Sequence, residues 1–231
     1  MIKFSLYIIL AALFTGCATP ALVTQSFHVP AEFPVADSTR TFLIVDAAEI
    51  MTTGIALVKR REAVMQDVKT DYLKVIPGIV TEKLSMPVVI DTTITAEQKT
   101  RILAHETKTI DSLLAKHHAE ILVVLKNCYG GFEKDDVVTE KNDNGSKSKT
   151  AYYSVFFEST WQVIQGRMYR EKVIMARKPH SSRPIVSGLL ARGPGFKANR
   201  EDIVEMARVN AFDFTALFHD REIIRQMPAR Q

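Results

Sequence analysis

The sequence predicts an α/β (α+β) fold: a single domain of strand, helix, strand, helix and strand, followed by an antiparallel meander and a C-terminal helix. Three observations predict it. Compact apolar runs at 41–46, 86–90 and 121–125 are separated by stretches whose apolar residues recur at helical spacing. That alternation builds a sheet with right-handed crossovers. Residues 151–164 instead alternate with period two: Tyr153, Val155, Phe157, Trp161 and Val163 share one side, and Ser154, Glu158, Thr160 and Gln162 the other. Finally, the 231 residues are 46% hydrophobic and 24% charged, with ten glycines and nine prolines. This supports one packed core of ordinary size and excludes disordered and collagen-like chains.

The elements follow in order. Lys3 precedes an apolar run at 4–14 and the small residues Thr15 and Gly16. The run is too short to span a bilayer, which takes about 20 residues, and reads as a secretory signal peptide. Pro20, Pro30 and Pro34 keep the next stretch extended, with room for an edge strand near 24–29. The 41–46 run reads as a strand buried on both faces.

Residues 61–84 carry Val64, Val68, Tyr72, Ile76, Ile79 and Leu84 close to helical spacing. Pro77-Gly78 is expected to kink or split that helix. A second strand is expected at 86–90. Thr95-Ala96-Glu97-Gln98 forms a capping box opening a helix to about Lys116, with Leu103, Ile110, Leu113 and Leu114 inward. Residues 121–125 are the strongest central-strand candidate. The polar stretch 134–149 reads as a hairpin tip around Asn144-Gly145. Gln165-Gly166 folds the alternating strand back, making 120–177 a meander. Residues 177–197 are rich in Pro and Gly, with space for a short strand at 185–190.

Asn199, Glu201 and Asp202 open the last helix, which packs Ile203, Ala207, Phe214 and Phe218 inward. Tyr152 and Phe156 fall opposite Trp161. Either the last helix covers them, which is the expectation, or they form an exposed patch for a partner.

The chemistry is sparse. A net charge of +4 does not point to nucleic acid. The six histidines include no His-x-x-x-His pair, so neither a metal nor a cofactor is expected. The glycines from Gly188 to Gly195 lack the Gly-Lys-Ser/Thr of a phosphate loop, and Gly-x-Ser-x-Gly is absent. No catalytic residue is assigned. Asp46 and Glu49 follow the first strand and Asp91 the second. Ligands bind at the carboxyl ends of α/β strands, so these three form a candidate ligand rim. Alternatively, Asp46 ends its strand by capping the next turn. Cys128 reads as a small buried hydrophobe.

Phe14-Thr15-Gly16-Cys17 resembles the lipobox of bacterial lipoproteins, with Phe14 where Leu is usual. The resemblance implies cleavage between Gly16 and Cys17 and acylation of Cys17. One acyl chain holds a protein only marginally; two or three on one cysteine anchor it durably. Ala18 follows rather than the Asp that retains lipoproteins at the inner membrane, which implies the outer membrane, with the domain facing the periplasm. The boundaries are then 1–16 for the signal peptide, 17–40 for the lipidated cysteine and tether, and 41–231 for the domain.

Val29-Pro30-Ala31, Ala119-Glu120-Ile121-Leu122-Val123-Val124 and Trp161 resemble a family of bacterial lipoproteins of unknown function, across residues 28–220. Trp161-Gln162-Val163-Ile164 departs from that family's Trp-Arg-Ile-Tyr-like strand end. The element order is more distantly similar to the domain of penicillin-binding-protein-activator lipoproteins, the curli-secretion lipoprotein and the TolB amino-terminal domain. Those are interaction modules, which implies no catalytic residues. The expectation is a non-enzymatic, membrane-anchored module that binds another envelope protein. The alternatives are a hydrolytic or small-ligand-binding lipoprotein with its site near Asp46 and Asp91, or a homo-oligomeric scaffold.

Overall fold

In a computed structural model the structure describes residues 22–35, 41–54, 61–141, 143, 145–184 and 200–228. They fall into two compact units, one spanning Glu32–His219 and one drawn from the chain's two ends, up to Ala31 and from Asp220 onward.

The larger unit is a five-stranded mixed sheet with helices on both faces, the α+β class that the sequence predicts. Strands β2 (Phe42–Thr53), β3 (Val88–Asp91), β4 (Ile121–Lys141), β5 (Lys147–Gln165) and β6 (Met168–Pro184) lie in the order β3-β2-β4-β5-β6. β2 runs parallel to β3 and β4; β4, β5 and β6 are antiparallel. Parallel neighbours need crossovers. These are α1 (Arg61–Leu84) between β2 and β3, and α2 (Ala96–Leu103) with α3 (Thr107–His117) between β3 and β4. Helix α4 (Arg200–Thr215) follows the meander.

Phe42, Leu43, Ile44 and Val45 are all fully buried, because successive residues feed two different cores. On one face, Phe42, Ile44, Val123, Phe157 and Trp161 pack with Val68, Tyr72 and Ile76 of α1 and with Ile203, Ala207 and Phe214 of α4. Trp161 stacks on Phe214 at 4.2 Å. Inside this core a polar network closes on Asn210. Its Oδ1 accepts from Tyr72 Oη at 2.6 Å and Ser159 Oγ at 2.7 Å, while Trp161 Nε1 donates to Ser159 Oγ at 2.9 Å. Burial pushes the Tyr72 hydroxyl far above the ordinary tyrosine value, so it stays a donor. On the other face Leu43, Val45, Leu122 and Val124 meet Ile102 of α2 and Ile110 and Leu113 of α3.

Several expectations need correction. Helix α1 is unbroken through Pro77. One lost backbone bond does not split a helix whose Ile76, Ile79 and Val80 are buried around the proline. The helix expected from Thr95 to about Lys116 keeps its capping box but breaks after Leu103, where His105 turns left-handed at φ 61°. β2 does not stop at Asp46: after a bulge between Asp46 and Glu49 it rejoins β4 as far as Thr53. The polar stretch 134–149 is mostly strand, since β4 and β5 stay paired out to Lys141 and Lys147. Helix α4 lies on the Trp161 side of the sheet, so it does not cover Tyr152 and Phe156. The strand expected at 185–190 lies outside the described residues.

In the smaller unit β1 (Leu22–Val29) pairs antiparallel with β7 (Arg221–Pro228). The edge strand expected near 24–29 therefore exists, but in a two-stranded sheet of its own. Ala31 N donates to Asp220 Oδ1 at 2.8 Å, and His28 Nε2 lies 3.3 Å from Asp220 Oδ2.

Candidate functional site

The candidate ligand rim is built where the parallel strands run out. Val45 pairs in register with Asp91, so Asp46 is the next residue along. Side chains alternate along a strand, and the two carboxylates consequently leave the sheet on opposite faces. Asp46 shares the side of Phe42 and Ile44 and meets α1: its Oδ2 accepts from Lys69 Nζ at 2.8 Å and its Oδ1 from Ala48 N at 3.0 Å. Lys69 is a buried lysine, and this carboxylate compensates its charge.

Asp91 shares the side of Val45 and meets α3. Its Oδ1 accepts from Thr93 N at 2.8 Å and Thr93 Oγ1 at 2.6 Å, and its Oδ2 from Lys116 Nζ at 2.9 Å and His117 Nε2 at 2.6 Å. Burial works to raise this carboxyl. The hydrogen bonds from Thr93, Lys116 and His117 outweigh it and hold Asp91 well below the usual carboxylate range. Glu49 is exposed and sits in register with Asn127. The three acids do not converge. Both Asp46 and Asp91 instead fasten a helix to the sheet.

Cys128 is buried on the α1 side, where burial, with a smaller push from Asp46, raises its thiol to about 12. A thiol so held stays protonated and unreactive at neutral pH. Cys17, the cleavage point at Gly16 and the rest of the leader lie outside the described residues. Among the described residues no three His, Cys, Asp or Glu side chains are grouped to hold a metal, and no helix is long and apolar enough to cross a membrane.

Two further features stand outside the acidic rim, and only the first escapes sequence reasoning. The first is a cleft of about 930 Å³ between α3 and the β5–β6 turn. Ile110, Leu114 and Ile164 give it an apolar floor, with His105, Asp111 and Arg167 around it. Gln165 on its wall donates through Nε2 to Pro34 O at 3.0 Å, while its buried Oε1 has no hydrogen-bond donor among the described residues. The second is the far part of the α2–α3 face. Those helices cover β3, β2 and the start of β4, and beyond them Met51, Tyr152, Val173 and Met175 stand 44%, 41%, 59% and 49% exposed. The half-buried Tyr129 and the fully buried Phe156 pack between them, rings 4.8 Å apart, edge to face. The alternation of 151–157 signals the two sides of β5. Which side a helix takes depends on the crossovers, and these are not encoded locally.

No protein-family model matches the chain, and no curated protein matches it. Among solved structures it is similar to a PelC dodecamer from Paraburkholderia phytofirmans, at 6% identity and a TM-score of 0.29, over 85% of this chain and 98% of that one. A likeness at that score carries no argument about this chain.

Proposed function

We propose that the chain is a lipoprotein anchored through Cys17 in the outer membrane, facing the periplasm, and that it binds another envelope protein on the uncovered face of its sheet. The observation that carries this reading is the row of Met51, Tyr129, Tyr152, Val173 and Met175, apolar and aromatic residues beyond the reach of α2 and α3. Tyrosine is enriched among the energetic centres of protein interfaces, and methionine at interfaces generally. The anchor is read from the lipobox, and the residues between Cys17 and β1 limit the reach from the bilayer, at most about 3.3 Å each.

Two measurements test it. Radiolabelled palmitate should enter the wild type and not Cys17→Ala; equal labelling of both refutes the anchor. A photo-crosslinking residue at Met51 or Tyr152 should give one adduct of constant mass in intact cells, and none at Glu62, an exposed position in the first turn of α1. Adducts at all three positions, or at none, refute the surface.

The cleft supports a second reading, a small-ligand-binding lipoprotein whose site lies away from Asp46 and Asp91. The apolar body of a ligand would rest on Ile110, Leu114 and Ile164, with His105, Asp111 and Arg167 around it to supply polar contacts. Mass spectrometry of protein purified from its own membranes should then reveal one small molecule, lost in Leu114→Arg.

A further inference from the structure

We propose that two copies of this chain pair along the outer edge of β6, antiparallel about a two-fold axis at Ile174, joining two five-stranded sheets into one. The pairing uses the edge of the sheet, whereas the envelope-partner reading uses its face; the two share Val173 and Met175, which stand where face and edge meet.

β6 ends the strand order, so among the described residues it pairs with β5 alone. Asn210 Nδ2 donates both to Phe157 O at 3.3 Å and to Ile174 O at 2.7 Å, so these two carbonyls open into one ring between β5 and β6. Backbone groups alternate in direction along an antiparallel strand, and those of Glu171, Val173, Met175 and Arg177 therefore point away from β5. An unpaired row of this kind is a template for another strand. Natural edges are commonly blunted by proline or bulges. Here Pro179 and the adjoining bulge between Tyr153 and Ser154 come only at one end, leaving residues 169–178 open.

Charge complementarity along this edge selects both the occupant and the register. With Ile174 on the axis, Val173 faces Met175 of the second copy and Glu171 faces its Arg177, each contact occurring twice. All four side chains are on the uncovered face. Val173 and Met175 are its most exposed apolar residues on β6, and the pairing sets each beside the other across the new seam. Moving the axis to Val173 sets Glu171 against Met175, and moving it to Met175 sets Val173 against Arg177; both lose the charge pair. In each chain Glu171 already meets Lys126, and Arg177 meets Glu133 and Asp135, so the second copy extends two ion-pair networks of alternating sign. On the opposite face Arg170 would come opposite Lys178. Arg170 lies 3.6 Å from Glu32, and Lys178 contacts Glu205 and Asp202, so carboxylates offset that approach.

The test is the mass of the full chain, purified in detergent, by light scattering over a concentration series. The wild type should give twice the chain mass. Val173→Pro deletes an outward N–H and spares the ladder to β5, so it should return the protein to a single copy with an unchanged circular dichroism spectrum. Glu171→Lys sets like charges opposite one another twice and should weaken association about tenfold; it decides the matter if the proline variant misfolds. A wild type of single-copy mass, or a dimer that neither substitution moves, overturns the proposal. A dimer lost in Val173→Pro and untouched by Glu171→Lys overturns the register.

Discussion

Asp91 is held in place by donors from two elements, Thr93 just after β3 and Lys116 and His117 at the end of α3. Its carboxyl titrates below the usual range in the folded protein and near 3.9 when unfolded, so below roughly pH 5 the unfolded chain binds protons that the native one refuses. The stability it supplies is complete above that range and is lost as pH falls toward the native value. Asp91→Asn should cost about 2 kcal/mol at pH 7 by leaving charge-assisted donors poorly matched. Urea unfolding at pH 7 and pH 3 checks the sign: the gap between wild type and variant should shrink in acid. Asn210 is the other residue whose loss is costly. Asn210→Ala removes the acceptor that Tyr72 and Ser159 share and a donor to the carbonyls of Phe157 and Ile174, leaving two buried hydroxyls with one fewer acceptor inside a closed core. A loss of about 3 kcal/mol is expected, measured as a lower denaturant midpoint at unchanged slope.

At the scale of elements, glycines separate what local chemistry decides from what packing decides. Gly131 of β4 has φ 144°, and a Cβ there would lie 1.9 Å from Thr53 O on β2. Gly131→Ala should therefore cost more than about 3 kcal/mol. Gly78 in α1 has open space around its Cβ position, and Gly78→Ala should stabilise by about 1 kcal/mol through helix propensity alone. Opposite shifts in thermal midpoint test the pair. The same division explains how legible the fold is. Capping at Thr95, the turn at Gln165-Gly166 and the two-sided burial of Phe42–Val45 are local patterns, and the sequence carries them openly. The break at His105 has neither Gly nor Pro to mark it. The extension of β2 past Asp46 depends on a bulge fitted to β4, which no neighbouring residue announces. Asp46 and Asp91 are readable as acids near strand ends. That they leave opposite faces follows only from the register Val45 to Asp91, a contact between segments far apart in the chain.

For the whole molecule, both hydrophobic cores are drawn from residues between Phe33 and Phe218. No described side chain of the terminal strands β1 and β7 belongs to either, and a two-stranded sheet is marginal alone. β7 also has no clear signature in the sequence, because Ile223-Ile224 is an apolar doublet among charged residues and not an alternating run. A chain ending at His219 removes β7 and leaves every core residue in place. It should keep the near-ultraviolet signal of Trp161, which is fixed by Phe214, Tyr72 and Ser159, and its unfolding free energy should change by no more than about 0.5 kcal/mol. The segment 22–31, deprived of its pairing strand, should become the first site of proteolysis. A truncated chain without that tryptophan signal would mean that the larger unit does not hold its own core.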